Sequence, residues 1–264
     1  MGVAMIVCAK QVIDPETPSS IFKIDRDARR AVPPPAADPV VNGFDEIAME
    51  AALRIKDSMG GTITVLSMGR SFVMDVIKKP LTMGADELIL LQDDAFETAD
   101  PFVTASVLAA AIRKVGSFDL VLCGRQASDW DNAQVPLGLA ELLDLPCLTF
   151  AQRVELNDGS VRVHRVTPDG SEVLEARLPA VVTVSNELGE PRTPAIKGIL
   201  AATGMNPTVW GRNELGVDLV GLAKVGVVDL FIPTREKRCE MIEGEDDADA
   251  GRKLALKLRE AKLI

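Results

Sequence analysis

Phe118-Asp119-Leu120-Val121-Leu122-Cys123-Gly124-Arg125-Gln126-Ala127-Ser128-Asp129-Trp130-Asp131-Asn132-Ala133-Gln134-Val135 is the stretch around which the chain is organised. Phe118 to Cys123 is a short apolar run of the kind found in a buried strand. Val135, Leu139 and Leu142 recur at helical spacing. Gly124 is expected to let the chain leave the strand in a tight turn. Asp129, Asp131, Asn132 and Gln134 then bring polar atoms to the helix entrance. A strand, a glycine and a helix start can form a phosphate site, because free N–H groups and the helix dipole both favour an anion. The same letters also suit an ordinary βα loop ahead of a capped helix.

Working outward, the 264 residues suffice for one large α/β domain or two small ones. The hydrophobic fraction of 47% supports a sizeable core, and the formal charge of −10 argues against nucleic acid or an anionic membrane as partner. Cys8, Cys123, Cys147 and Cys239 form no C-x-x-C pair, and His164 is the single histidine. Zinc or iron–sulfur ligation therefore has almost no ligands to use. His164 falls in an alternating pattern and is expected on a strand surface. No apolar run reaches transmembrane length, and Met1–Lys10 lacks a basic leader, so no membrane insertion and a reducing, cytoplasmic setting are expected.

Val3–Ala9 is continuous and apolar, as in a central parallel strand. Gln11–Val41, with Pro33-Pro34-Pro35, is expected to be a long excursion holding a short hairpin around Phe22–Val32. Asn42-Gly43-Phe44-Asp45-Glu46 opens the first clear helix, with Asn42 as its cap and Asp45 and Glu46 at its positive end. Thr62–Ser67 is a strand, and Ser71–Met83 a helix bent or shortened by Pro80. Glu87–Leu91 is another strand, and Asp100-Pro101 starts a helix that stops at Gly116.

This alternation predicts a doubly wound parallel α/β sheet with helices on both faces. Ligands in such sheets bind beyond the carboxyl ends of the strands, at a topological switch point. Cys8-Ala9, Ser67-Met68-Gly69 and Cys123-Gly124 supply three such ends. Neither G-x-G-x-x-G nor a P-loop pattern is present, so a nucleotide would be held differently. After Pro146 the pattern changes. Leu148–Leu156 and Ser160–Val166 flank the hairpin signal Asn157-Asp158-Gly159, and Glu172–Arg177 and Ala180–Val184 follow, together an expected antiparallel addition. Ser185–Gly204 combines Pro191, Pro194 and Gly198 with Ile196, Ile199 and Leu200. Ile196 there is either a docking anchor or the start of a short buried helix. Asn206–Asp229 looks irregular, Val225–Ile232 is a candidate last strand, and Asp247–Lys262 a terminal amphipathic helix. Residues 1–235 are expected to form the α/β domain, with 236–264 a linker and helix that docks on a partner.

Several of these pieces, in order, resemble the β subunit of electron transfer flavoprotein over nearly the whole chain. They are Lys10, Asn42-Gly43-Phe44-Asp45-Glu46-Ile47-Ala48, Met83-Gly84-Ala85-Asp86, Cys123-Gly124-Arg125-Gln126-Ala127, Leu178-Pro179-Ala180-Val181-Val182-Thr183 and Glu190-Pro191-Arg192. The family's β-subunit signature falls on Val163–Thr183, with Pro168 where an acidic residue is expected, and Arg125 replaces the usual lysine.

The resemblance implies an adenine-nucleotide-binding sheet and a heterodimer with an α subunit that holds an FAD. It implies a relay of electrons between a flavoenzyme of the acyl-CoA dehydrogenase type and a second redox partner, by bifurcation with NADH in some members. It maps the nucleotide site to Cys8, Asn42, Gly43, Phe44, Asp45 and Met68, and to Gly124, Arg125, Gln126, Ala127, Ser128, Asp129, Trp130, Asp131, Asn132, Ala133, Gln134 and Val135. Ile196 takes the place of the family's docking anchor. No residue takes a catalytic role, since a flavin carries its own redox chemistry. Asp131-Asn132-Ala133-Gln134-Val135 resembles members that hold a second FAD here, with AMP as the alternative. A competing class is a stand-alone adenine-nucleotide-binding sensor or ATP-using module.

Overall fold

Strands that are apolar on both faces need cover on both sides, and the chain supplies it with helices between successive strands. The computed structural model describes residues 2–32, 37–233 and 239–264. The Pro33-Pro34-Pro35 run and the expected boundary at 235/236 lie outside these described residues. The chain forms two units, Met1–Leu230 and Phe231–Ile264.

The first unit begins with β1 (Val3–Cys8), β2 (Gln11–Ile13), β3 (Lys23–Asp25), β4 (Arg30–Val32) and β5 (Pro39–Val41). Then come α1 (Gly43–Met59), β6 (Gly61–Gly69), α2 (Met74–Ile77), α3 (Lys79–Met83) and β7 (Glu87–Gln92). α4 (Pro101–Val115), β8 (Leu120–Gly124), α5 (Val135–Leu143) and β9 (Cys147–Asn157) follow. The unit ends with β10 (Ser160–Thr167), β11 (Gly170–Arg177), β12 (Ala180–Val184), α6 (Ile196–Thr203), β13 (Thr208–Trp210) and α7 (Arg212–Leu215).

Nine of the described strands form one sheet, in the order β11-β10-β9-β12-β8-β1-β6-β7-β13. From β9 to β13 every neighbouring pair is parallel. Two apolar cores cover the sheet. One packs Ala48, Met49 and Ala52 of α1 with Leu81 of α3 and Ala202 of α6. The other packs Val107 and Ile112 of α4 with Leu139 of α5. The doubly wound α/β class is therefore the observed one.

Two small antiparallel pairs stand outside the sheet, β2 with β5 and β3 with β4, the latter being the expected hairpin. Asp158 and Gly159, with φ of 38° and 80°, make the turn between β9 and β10. Asp100 caps α4 by accepting from the Val103 N–H at 2.7 Å. Pro80 breaks the expected helix over 71–83 into α2 and α3, standing where α3 has no N–H to lose.

Three expectations need correction. Ala180–Val184 is not part of an antiparallel addition: its five residues are all buried, and it lies parallel between β8 and β9, so only β10 and β11 extend the sheet antiparallel. A strand apolar on both faces belongs inside a sheet, which is where β12 sits. Val225–Ile232 forms no strand. The backbone N–H groups of Lys224 and Val225 instead donate to the Asp100 carboxylate at 2.5 and 2.8 Å. The edge strand is β13, within a stretch expected to be irregular throughout; three residues are too few to show a period.

The second unit is built on α8 (Asp247–Glu260), two residues shorter at its C-terminal end than expected. Asp246 caps it, accepting from the Asp249 N–H at 2.7 Å. None of its residues is buried within the unit.

Candidate functional site

β1 has β6 on one side and β8 on the other. From β1 the chain passes through α1 to β6 and β7, then returns through α4 to β8 across β1. The switch point therefore lies at the carboxyl ends of β1 and β8, where Cys8 and Cys123 are register partners. Met68 is the penultimate residue of β6, one strand away. The three strand ends named from sequence converge.

The N-terminus of α1 closes this crevice. Asn42 precedes the helix and its carbonyl accepts from the Asp45 and Glu46 N–H groups, yet its side chain makes no capping bond. It reaches across instead: its amide donates to the Gln126 carbonyl at 2.9 Å and its Oδ1 accepts from the Ser128 N–H at 3.2 Å. Asp45 does the same for the strand ends. Its carboxylate accepts from the Lys10 N–H at 2.8 Å and from the Gly124 N–H at 3.2 Å. Burial pushes the Asp45 carboxyl up to about 7, against the pull of these donors, the Asn42 side chain and the Lys10 charge. Asn42 and Asp45 thus hold the loop. Gly43 has open space where a side chain would stand.

Gly124 stays in the strand and its φ is not positive, which corrects the reading of it as a turn residue. It is glycine because α1 comes too close: a Cβ there would stand 2.4 Å from Asp45 Oδ1 and 2.7 Å from Phe44 Cβ. Beyond it, the Arg125 N–H donates to the Val184 carbonyl at 3.1 Å. The Arg125 guanidinium lies 4.8 Å from the Phe44 ring centre and 6.0 Å from that of Phe150.

Ser128, Asp129 and Trp130 form a turn, closed by the Asp131 N–H on the Ala127 carbonyl at 2.8 Å. Asp129 pairs with Lys10 Nζ at 2.7 Å, and Asp131 accepts from Gln126 Nε2 at 2.8 Å. Both acids are thus held by side chains within the protein. Asn132 is exposed, and Trp130 is 54% exposed.

Two features of this loop carry a cost in the protein alone. Asp131 and Ala133 have φ of 50° and 54°, a left-handed conformation disfavoured by about 1 kcal/mol or more for a residue with a Cβ. Two buried polar atoms of the loop, Arg125 Nε and Ser128 Oγ, have no hydrogen-bond partner among the described residues. Each such atom costs roughly 1–3 kcal/mol unless something completes it. α5 adds free donors. Its entry residue Gln134 makes no side-chain cap, and Gly138 is the first residue to close a helical bond, onto the Gln134 carbonyl. Pro136 has no N–H, so Val135 and Leu137 present theirs unpaired at the helix's positive end. The Cys123 thiol is pushed well above its ordinary value by its hydrogen bond with Cys8 and by burial, so it stays neutral there.

Lys10 joins this site, through Asp45 and Asp129, without having been singled out as a site residue. Its position directly after the first strand, at the carboxyl edge of the sheet, was the available signal. Phe150 gave none, because it comes from a strand distant in sequence.

The description "Electron transfer flavoprotein domain" belongs to the family model that matches residues 36–210. The chain belongs to the electron transfer flavoprotein family. The "Caffeyl-CoA reductase-Etf complex subunit CarD" of Acetobacterium woodii is 38% identical, over 98% of this chain and 99% of its own length. The "Electron transfer flavoprotein subunit beta" of Thermoanaerobacterium thermosaccharolyticum is 39% identical over 78% of this chain and 80% of its own length. The protein of the same name in Mycobacterium tuberculosis is 34% identical over 98% and 99%. The resemblance to β subunits drawn from the motifs thus holds, and with it a role in electron transfer as a member of a flavoprotein family. No helix among the described residues of this electron transfer flavoprotein chain is long and apolar enough to cross a membrane.

Proposed function

We propose that this chain is the β subunit of a heterodimeric electron transfer flavoprotein and holds an FAD at the switch point of its sheet. The observation that carries the reading is the run of incomplete polar groups along the loop from β8 to α5: Arg125 Nε, Ser128 Oγ and the first N–H groups of α5. These residues fit a dinucleotide. The α5 entrance and Ser128 suit phosphate oxygens, and Arg125 suits an anionic or carbonyl group. Cys8, Cys123 and Met68 offer a soft neutral floor. When bound, the flavin supplies one- and two-electron chemistry; the chain binds and orients it. FAD is favoured over AMP because Asp131-Asn132-Ala133-Gln134-Val135 resembles the FAD-holding members.

The partner is the α subunit with its own FAD, and residues 236–264, including α8, form the arm that docks on it. Electrons pass between a dehydrogenase of the acyl-CoA dehydrogenase type and a second redox partner. The relative from Acetobacterium woodii, named for a caffeyl-CoA reductase complex, supports a partner that acts on a CoA thioester. Bifurcation with NADH is the route proposed from the likeness of Asp131–Val135 to members that hold a second FAD. Ile196, on α6 and 78% exposed, is the docking residue for the dehydrogenase.

Denaturing the purified heterodimer and chromatographing the released nucleotide tests the cofactor. Two FAD per heterodimer is the expected result. One FAD with one AMP would refute FAD in this subunit, and no nucleotide beyond the α subunit's FAD would refute the site.

A further inference from the structure

Helix α6 is built inside out. Ile196, Ile199 and Leu200 stand at i, i+3 and i+4 on one face and are 78%, 48% and 69% exposed. The opposite face carries Gly198 and Ala202, and Ala202 is buried. A Cβ on Gly198 would stand 2.3 Å from the Thr82 carbonyl oxygen at the end of α3. The body of the protein therefore sees nearly bare backbone, and solvent sees the large aliphatic side chains.

The segment leading into α6 is fixed as firmly. Glu50 of α1 is a nearly buried carboxylate that takes four donors. Arg192 gives Nε at 2.8 Å, its backbone N–H at 3.1 Å and Nη2 at 3.2 Å. Arg54 gives Nε at 2.9 Å, and its Nη1 donates to the Leu188 carbonyl at 3.0 Å. Arg192 also pairs with Asp57 at 2.9 Å. Burial favours the neutral acid, but these arginines hold the Glu50 carboxyl below its ordinary range. α6 also borders a hollow of about 360 Å³, lined by Val40, Val76, Pro194 and Ile199.

A short helix with so small a buried face would not hold one orientation by packing alone. We propose that Glu50 and Gly198 are positioning residues that present the aliphatic face of α6 to the dehydrogenase in one preset orientation. Docking then spends little on ordering the helix. The inference rests on the reading of Ile196 as the docking residue.

The experiment compares Glu50→Gln, Gly198→Ala and Ile196→Ala in the full heterodimer, with butyryl-CoA dehydrogenase as the electron donor. Arg54→Ala, which releases only the Leu188 carbonyl and one bond to Glu50, is the milder substitute should Glu50→Gln fail to fold. Amide exchange over 196–203 reads the order of α6, and KM for the dehydrogenase reads docking. Glu50→Gln and Gly198→Ala should speed exchange in α6 about tenfold and raise KM several-fold, with kcat and nucleotide content unchanged. Unchanged exchange in both variants overturns the positioning role, whatever happens to KM. Faster exchange with KM raised only by Ile196→Ala overturns the link between order and docking. If KM stays fixed in all variants, the docking reading falls and this inference with it.

Discussion

The Asp45 carboxylate fills the space that a side chain on Gly124 would need, with Oδ1 2.4 Å from the place of a Cβ. The same carboxylate accepts the Gly124 N–H, so the absence of a side chain and the presence of the hydrogen bond are one arrangement. Gly124→Ala must push the N-terminus of α1 outward. Overpacking of this kind costs about 1–3 kcal/mol. The variant is expected to melt lower and to purify with less nucleotide on this subunit, read by calorimetry and by flavin absorbance. Wild-type melting with full cofactor would show that α1 can shift freely.

Asp45 also sets a pH dependence. Its carboxyl is raised from 3.8 to about 7 by burial. An acid raised on folding stabilises the native state below its unfolded value and loses that contribution as pH rises through the folded one. Between pH 5 and 8 the loss is about 2–3 kcal/mol for this group. Chemical denaturation across that range should show it in the wild type, and Asp45→Asn should remove most of the slope. A slope that persists in the variant would assign the dependence to other groups.

How much of this was legible beforehand depends on separation along the chain. β1, α1, α4 and β8 are set by local period and by caps such as Asp100, and all were readable. The strand ends Cys8, Met68 and Gly124 followed from the rule that doubly wound sheets bind at their carboxyl edge. What escaped was long-range. Asn42 looks like a cap, because capping is the local use of asparagine before a helix; only the fold brings it against Gln126 and Ser128, more than 80 positions away. Gly124 looked like a turn for the same reason. For Ile196 the letters left a docking anchor and the start of a short buried helix both open; the fold combines a helix with an exposed Ile196, because Gly198 is the residue that meets Thr82.

Asn132 lies exposed beside the free N–H groups of α5. Asn132→Asp puts a negative charge where phosphate oxygens are proposed and removes a donor, a change worth roughly 1–3 kcal/mol. That corresponds to about a ten- to hundredfold loss of nucleotide affinity. The heterodimer should fold and keep the α-subunit flavin while this subunit loses nucleotide. Two retained flavins per heterodimer would place the phosphate elsewhere.

α8 leaves Leu254 and Leu256 about half exposed, and Leu263 and Ile264 more so. Deleting Glu245–Ile264 should weaken association with the α subunit, seen as a slower-sedimenting species at low micromolar concentration. Co-purification and sedimentation identical to the full chain would remove α8 from that interface.

The two ends of the sheet have a consequence for how the chain meets other molecules. β11 is an edge strand whose Glu172 and Glu175 are tied to Arg165 and Arg162 of β10, so charge lines the border. β13, at the other edge, is only three residues long, and Lys114 sits 4.6 Å from the ring centre of its Trp210. Long, uncharged edges invite a foreign strand to add itself and begin a fibril. These borders resist that invitation. A crowded pool of the chain is thereby guarded against edge-to-edge aggregation.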